Sequence, residues 1–149
     1  MKETKLWING KWESTAELSE LTAPYTGKII AKVAKASVAD VERAIEGAHK
    51  AFLSFKKTTA YERAEILYKV AAIMRDRKQE LAKILTDEAS KPLSAGLTEL
   101  DRTITTYQFA AEAAKQLTGE TIPMDATPGV KDRMGYTKRV PLGVVSAIT

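Results

Sequence analysis

The sequence predicts an α/β fold with three helices, several short strands and one strand of a larger parallel sheet. Residues 140–149 form an almost wholly apolar run rich in β-branched residues, which is typical of a buried parallel strand. Residues 37–114 carry apolar side chains at helical spacing. Residues 6–12 place apolar side chains on both sides of an Asn-Gly pair, the strongest short-range signal of a β-hairpin.

The apolar run at 140–149 requires a sheet that the preceding sequence does not supply. A parallel strand needs neighbours reached through crossovers, and no earlier segment has the same continuous apolar character. We therefore expect residues 140–149 to be the first strand of a larger α/β domain, truncated at Thr149. The alternative is a self-contained small α+β domain in which this strand pairs with the N-terminal hairpin.

Composition narrows the class of protein. The chain has 149 residues, of which 44% are hydrophobic and 28% charged, as in ordinary soluble globular domains. Its 23 basic residues are interleaved with 19 acidic ones, and the net charge of +4 argues against a nucleic-acid surface. It contains no cysteine, no run long enough for a membrane span and no apolar stretch of signal-peptide length. We expect a cytoplasmic protein with no nucleic-acid or membrane partner.

Two short ribbons are predicted ahead of the helices. Asn9 and Gly10 supply the two positive φ angles of a type I′ turn. Residues 23–27 form a second turn, and residues 28–34 form a strand after it. Isolated ribbons of this size are marginal in water, so both are expected to pack on helices or pair with other strands.

Capping boxes, in which Ser or Thr is followed three residues later by an acid, open the first two helices. They are Ser37 with Asp40 and Thr59 with Glu62. An apolar stripe at helical spacing follows each of them. Its members are Val41, Ala44, Ile45, Ala48 and Phe52 in the first helix and Ile66, Leu67, Val70, Ile73, Met74, Leu81, Ile84 and Leu85 in the second.

The second helix is long and is followed by a third. The charged residues 75–80 interrupt it as a solvated or gently bent turn. Lys91-Pro92 ends it or starts the next helix, because proline is tolerated only in a first helical turn. The third helix covers residues 93–114 and stops before Gly119, which suits the left-handed position just past a helix end.

Residues 118–139 are predicted to form an irregular two-stranded arm around a Pro- and Gly-bearing turn at 124–129. The arm alternates too weakly between apolar and polar residues to be part of a core. It is either a solvated hairpin or an arm that pairs with another part of the protein or another subunit, since unpaired strand edges bind partners.

Seven short motifs follow one another along the chain: Trp7-Ile-Asn-Gly-Lys-Trp12, Pro24-x-Thr-Gly27, Arg63-Ala-Glu-Ile-Leu67, Glu88-Ala-Ser-Lys-Pro92, Glu99-Leu-Asp-Arg102, Thr118-Gly-Glu-Thr-Ile-Pro123 and the run from Arg139 to Thr149. Each motif alone is weak evidence for a protein family, but seven motifs in the same order and at the same spacing are strong evidence. Together they resemble the N-terminal part of the NAD(P)-dependent aldehyde dehydrogenase family. The resemblance implies that residues 1–117 begin a Rossmann-like cofactor-binding domain, 118–139 are an oligomerisation arm and 140–149 are the first cofactor-domain strand.

The resemblance also implies a reaction, the NAD(P)-dependent oxidation of an aldehyde to a carboxylic acid. In the family a cysteine thiolate attacks the aldehyde, an asparagine side chain and a backbone N–H stabilise the oxyanion, and a glutamate activates water. This sequence has no cysteine, and its single asparagine is Asn9 in the hairpin turn. We therefore expect no catalytic residue here, and the 149-residue chain alone to be inactive.

Four contact positions follow from the resemblance. Ile148 and Thr149, at the end of the predicted strand, match positions that touch NAD or NADP, although both equally suit the core of a sheet. Thr98 and Arg102 match a helix that walls the substrate tunnel, where a guanidinium can hold a carboxylate, phosphonate or phosphate tail. The alternative for Arg102 is an ordinary helix-surface ion pair with Glu99.

Glu88 and His49 are not expected to form binding or catalytic sites. Glu88 matches an acid that binds a monovalent cation in some family members, together with carbonyls near Leu21 and Thr22, but a solvent-facing helix-end carboxylate is the preferred interpretation. His49 has no acidic or nucleophilic partner at a suggestive spacing. No metal site is expected.

Two functions remain open from the sequence. The first is the N-terminal piece of an aldehyde dehydrogenase that acts on a small aldehyde and forms a homo-oligomer. The second is a non-catalytic helical interaction or oligomerisation module with an enzyme-like sequence. The absence of cysteine favours the second if the chain is biologically complete, whereas the abrupt end at Thr149 favours the first.

Overall fold

A computed structural model describes residues 2–148 of the chain, and in these residues it contains seven short strands and four helices. The strands are β1 (Lys2–Thr4), β2 (Leu6–Ile8), β3 (Lys11–Glu13), β4 (Leu18–Thr22), β5 (Ile29–Ala34), β6 (Thr121–Pro123) and β7 (Met134–Tyr136). The helices are α1 (Val38–Phe55), α2 (Ala60–Asp76), α3 (Lys78–Ala89) and α4 (Leu93–Lys115). The predicted α/β class is confirmed.

The N-terminal hairpin forms as predicted. Strands β2 and β3 pair antiparallel across Asn9 (φ 52°) and Gly10 (φ 78°), the positive angles that the type I′ turn requires. Trp7 lies opposite Trp12, with ring centroids 4.8 Å apart. The turn rests on α1 so closely that a Cβ added at Gly47 would lie 1.6 Å from Oδ1 of Asn9.

A second, three-stranded sheet has β5 at its centre. Strand β5 pairs in parallel with β1 and antiparallel with β4, so that the strand order is β1-β5-β4. The turn between β4 and β5 closes where the Gly27 N–H donates to the Ala23 carbonyl at 2.9 Å. The predicted strand after this turn is confirmed, and it starts at Ile29. Its inner residues Ala31 and Ala34 are buried.

Both predicted capping boxes are present. The Asp40 N–H donates to Oγ of Ser37 at 3.2 Å, and the Ser37 N–H donates to the Asp40 carboxylate at 2.9 Å. The Glu62 N–H donates to Oγ1 of Thr59 at 3.1 Å, and the Thr59 N–H donates to the Glu62 carboxylate at 2.7 Å. Each pair satisfies backbone donors that have no partner inside the helix.

The prediction of three helices is wrong, because the long second helix is two helices. Arg77 adopts φ −100° and ψ 16°, which ends α2 and precedes α3. It lies inside the charged stretch 75–80, where the sequence predicts only a bend. The chain then leaves α3 at Ser90, which is left-handed with φ 54°, and Pro92 precedes α4.

The helical core lies where α4 packs on α2 and α3, and small residues form most of it. Gly96, Leu100, Ile104 and Ala111 of α4 are buried on one face. A Cβ at Gly96 would lie 3.1 Å from the Ala82 carbonyl oxygen of α3, so the two helices approach closely. This packing turns the opposite face of α4 toward solvent.

The two-stranded arm within 118–139 is present, with β6 and β7 antiparallel. The expected role of Gly119 is wrong, because α4 ends at Lys115 and Gly119 has no positive φ. A Cβ there would lie 1.7 Å from the Thr137 carbonyl oxygen. Gly119 therefore allows close approach of the two arms of the hairpin.

The strand predicted for 140–149 is not formed. Residues 140–148 belong to no strand, and Thr149 lies outside the described residues. Gly143 has φ 126°, which is incompatible with a regular strand, and Leu142 is exposed. A strand exists only through hydrogen bonds to a neighbour, and no described strand pairs with this segment. The segment is apolar as the pattern predicts, but it pairs with no strand among residues 2–148.

No helix within residues 2–148 combines the length and apolar character needed to cross a membrane.

Candidate functional site

Helix α4 carries both predicted tunnel residues on its solvent-facing side. Thr98 and Arg102 are four residues apart and therefore neighbours on one helix face. Both are exposed, because the buried face of α4 is occupied by its contacts with α2 and α3. The Thr98 hydroxyl donates to the Ser94 carbonyl at 3.1 Å, so its hydrogen is already used within the helix.

Arg102 lies in a shallow depression of about 360 Å³ on the surface of α4. Thr105, Thr106 and Phe109 line it with Asp101, and the Phe109 ring is 71% exposed. The hydroxyls of Thr105 and Thr106 donate to backbone carbonyls one turn earlier, at 3.0 and 2.9 Å. Within residues 2–148 no hydrogen bond or ion pair holds the Arg102 guanidinium. It is the one strong cationic donor group lining this depression.

The carboxylate expected to neutralise Arg102 is engaged elsewhere. Glu99 accepts a hydrogen bond from Nζ of Lys91 at 2.5 Å, and this contact, with a smaller contribution from the charge of Arg102, lowers the pKa of Glu99. Asp101 is paired with Lys78, with Nζ and Oδ1 2.7 Å apart. The alternative of a Glu99–Arg102 ion pair is therefore wrong in this structure.

Sequence reasoning missed the two lysines that arrange these charges. In the sequence, Lys91 belongs only to the Glu88–Pro92 motif and precedes a proline, and Lys78 belongs only to the charged stretch 75–80. The lysine and its carboxylate are 8 residues apart in one pair and 23 in the other, so helical spacing gives no signal for either. Only the packing of α3 on α4 and the short link between them bring these groups together.

The predicted cofactor positions are not assembled into a site. Ile148 is 92% exposed and lies in the segment without strand structure, and Thr149 lies outside the described residues. Ile148 does not line the Arg102 depression. The structure thus brings Thr98 and Arg102 onto one surface and leaves Ile148 apart from them.

Other candidate groups carry no recognisable chemistry. Glu88 and His49 are both exposed, and no cluster of three or more possible metal ligands occurs in the part of the chain that the structure describes. A larger depression of about 700 Å³ lies between the hairpin turn and α1. Three charged residues line it: Arg43 is held by Glu13 and Asp40, at 2.7 and 2.8 Å, and Glu46 pairs with Lys50 at 2.7 Å. The charged side chains of that depression are therefore already paired.

Comparison with known proteins identifies the family. Residues 11–149 match the aldehyde dehydrogenase family. The chain is 40% identical over 150 residues to 3-sulfolactaldehyde dehydrogenase from Priestia aryabhattai, covering 100% of this chain and 31% of that protein. The chain thus spans about a third of the length of this curated relative.

Solved structures agree with the sequence match. Aldehyde dehydrogenase 21 from Physcomitrella patens, in complex with the reaction product succinate, is similar with a TM-score of 0.85 and 34% identity over 91% of this chain and 28% of that chain. A point mutant of betaine aldehyde dehydrogenase from Staphylococcus aureus, in complex with NAD+, is similar with a TM-score of 0.78 and 26% identity over 84% of this chain and 26% of that chain. With the family match over most of its length, this chain belongs to the aldehyde dehydrogenase family.

Proposed function

We propose that this chain is the N-terminal segment of an NAD(P)-dependent aldehyde dehydrogenase that oxidises a short aldehyde carrying an anionic group. In this proposal Thr98 and Arg102 line the substrate tunnel. The observation that carries the substrate class is the exposed Arg102 guanidinium, which no other described group engages. A guanidinium presents a planar fork of donors that matches the oxygens of a carboxylate, phosphate or similar anion.

The names of similar proteins support an anionic substrate. Sulfolactaldehyde bears a sulfonate, and succinate is a dicarboxylate whose parent aldehyde keeps one carboxylate. Both anions offer oxygens that a guanidinium can bind in pairs. The hydroxyl-lined, partly aromatic surroundings of Arg102 leave room for a small molecule in the depression of about 360 Å³.

The same proposal assigns the cofactor contact to Ile148 and Thr149. Ligands of open α/β sheets bind at the carboxyl ends of the strands, and these residues end the apolar run. The proposal therefore requires 140–149 to become a strand when neighbouring strands are present. The similar betaine aldehyde dehydrogenase structure contains NAD+, which supports NAD or NADP as the cofactor.

We further propose that residues 118–139 act as an oligomerisation arm in a homo-oligomer. Strands β6 and β7 pair only with each other among the described strands, so their outer edges have free backbone donors and acceptors. Such edges are suited to pairing with another strand. Size measurement of the full-length protein before and after deletion of 124–133 tests this, and an unchanged oligomeric state would contradict it.

The substrate class is tested by steady-state kinetics of a full-length protein carrying this segment, with succinic semialdehyde as anionic probe and butanal as neutral probe. Arg102→Ala is expected to raise KM for the anionic aldehyde about 10- to 100-fold, the equivalent of a lost charge-assisted hydrogen bond of about 1.5–3 kcal/mol. KM for butanal should stay unchanged. Arg75→Ala, which removes an exposed arginine near the end of α2, is the matched control. Equal changes for both aldehydes, or none, would refute the anionic anchor.

A further inference from the structure

We propose that Lys91 is a positioning residue for the substrate anion: by binding the Glu99 carboxylate, it prevents Glu99 from pairing with Arg102 and leaves the guanidinium available. This inference rests on the proposed function, because it concerns the same anion contact. It assigns a role to a residue that lies in the link between α3 and α4 and does not line the Arg102 depression.

Helix geometry makes Glu99 the natural competitor for Arg102. Residues three apart on a helix are neighbours, and an acid that precedes a base at this spacing forms an ion pair in isolated helices. In this structure the Glu99 carboxylate instead lies 2.5 Å from Nζ of Lys91. The Arg102 guanidinium still contributes to the lowered pKa of Glu99 through its charge, so the two groups interact without contact.

The backbone around Lys91 holds it in position to reach Glu99. Ser90 accepts a hydrogen bond from the Tyr25 N–H at 2.9 Å, which ties the link to the β4–β5 turn. On the other side, the ring of Pro92 restricts φ at the start of α4. Glu99 lies about two helical turns into α4, roughly 10 Å along the axis, which is within reach of the long lysine side chain.

The neighbouring ion pair offers a matched control. Lys78 pairs with Asp101 in the same way, with Nζ and Oδ1 2.7 Å apart. Asp101 directly precedes Arg102 in the chain, and adjacent residues of a helix do not face each other. Loss of Lys78 is therefore not expected to let Glu99 form an ion pair with Arg102, whereas loss of Lys91 is expected to do so.

A double-mutant cycle on the pKa of Glu99 tests the competition in the 149-residue chain itself. NMR titration follows the Glu99 carboxyl in the wild type, Lys91→Met, Arg102→Met and the double variant. Arg102→Met is expected to raise the pKa of Glu99 little in the wild-type background and more in the Lys91→Met background, where Arg102 has become the partner. In the double variant the pKa should return to the ordinary value of an exposed glutamate. An equal effect of Arg102→Met in both backgrounds would overturn the proposal.

Kinetics of the full-length enzyme test the consequence for substrate. Lys91→Met is expected to raise KM for succinic semialdehyde about 1.4- to 2.3-fold, the size of one helix-surface ion pair, with kcat and the KM for butanal unchanged. Adding Glu99→Gln should restore KM, and Lys91→Arg should behave as the wild type. A raised KM that persists in the Lys91→Met/Glu99→Gln variant would contradict the positioning role.

The Arg102 anchor and the positioning role of Lys91 can be refuted independently of each other. If Arg102→Ala does not discriminate between anionic and neutral aldehydes, the anchor is wrong whatever the pKa cycle shows. If Arg102→Ala discriminates but the Lys91 and Glu99 changes show no coupling, the anchor stands and the role of Lys91 is refuted. The Lys78→Met control should leave the pKa of Glu99 unchanged in the same NMR experiment, and a shift there would contradict the specific assignment to Lys91.

Discussion

Individual side chains connect the start of α1 to the N-terminal hairpin. The Asp40 carboxylate accepts hydrogen bonds from Arg43 and from the side chain and backbone of Ser37. Arg43 also binds Glu13 of β3. These contacts, with that to Arg43 the largest, lower the pKa of Asp40 to about 2. The helix cap and the hairpin therefore share one exposed charge network.

This network predicts acid sensitivity at the start of α1. Because the pKa of Asp40 is about 2 in the folded chain and close to 3.8 when unfolded, its contribution is fully present above about pH 4 and is lost as pH falls toward 2. The protection factors of amides in the first turn of α1, which compare observed with intrinsic exchange rates, should fall over that range. In Asp40→Asn this fall should disappear, and an unchanged pH profile in that variant would contradict the assignment.

Ser90 combines a strained backbone with a hydrogen bond, and two substitutions separate these effects. Ser90→Ala keeps the left-handed φ of 54° but loses the bond to the Tyr25 N–H, so it should destabilise the chain by about 1 kcal/mol. Ser90→Gly loses the same bond but also removes the Cβ, whose cost in this conformation is about 1 kcal/mol. The glycine variant should therefore unfold in urea close to the wild type. Equal destabilisation by both would show that the backbone is not strained.

At the scale of elements, short sequence motifs correctly predicted turns and helix starts. They did not predict which distant strands pair. The Asn9-Gly10 turn and the capping boxes of α1 and α2 depend on residues within four positions of each other, and all three are confirmed. The parallel pairing of β1 with β5 joins residues about thirty positions apart, beyond any local pattern. The break between α2 and α3 at Arg77 was also not predictable, because the stretch 75–80 contains no glycine or proline.

Gly119 shows how a local rule fails when tertiary contact decides. A glycine after a helix suggests a left-handed end, yet here it avoids a clash with the Thr137 carbonyl. The adjoining contact is formed by Glu120, whose carbonyl accepts from the Thr137 N–H at 2.8 Å and whose N–H donates to the Thr137 hydroxyl at 2.9 Å.

Substitution of Gly119 therefore tests the arm as an element. Gly119→Ala should separate β6 from β7, because the added Cβ meets backbone that cannot move without breaking the pairing. Cross-strand NMR contacts between Thr121 and Tyr136 should disappear, while the helices remain folded. Thr118→Ala, which adds no atom, is the control and should keep those contacts. Retention of the contacts in Gly119→Ala would contradict the close approach.

At the scale of the whole molecule, the chain exposes apolar surface that its own elements do not cover. Val145 and Ile148 are exposed in the unpaired C-terminal segment, and α1 has no buried residue despite its apolar stripe. Since relatives are about three times as long, the proposed reason is that the missing neighbours belong to the rest of the fold. This also explains why an apolar run predicted a strand that a 149-residue chain does not form.

The conversion of this segment to a strand gives a prediction for hydrogen exchange. Amides of residues 144–148 should exchange rapidly in the 149-residue chain and slowly in a full-length protein, because strand pairing protects backbone N–H groups. The hairpin amide of Trp7 serves as an internal reference in both. Rapid exchange of 144–148 in the full-length protein would contradict the proposed strand and the cofactor contact of Ile148.

The candidate site could be predicted only in part from the sequence. The helix carrying Thr98 and Arg102 follows from its apolar spacing, and their proposed role rests on a family resemblance. Whether Arg102 is free depends on Lys91, which reaches Glu99 from outside the helix, and no local pattern contains that information. The cysteine and asparagine that the family resemblance implies for the chemistry have no counterpart to assign in this sequence, which has no cysteine and whose single asparagine is Asn9 in the hairpin turn.

Turnover by the isolated chain tests the central claim most directly, namely that these 149 residues contribute substrate recognition and structural support but no reacting group. Formation of reduced nicotinamide is measured with NAD+ or NADP+ and succinic semialdehyde, for the 149-residue chain and for a full-length protein carrying it. We expect turnover only from the full-length protein. Sustained aldehyde oxidation by the purified 149-residue chain would contradict the account.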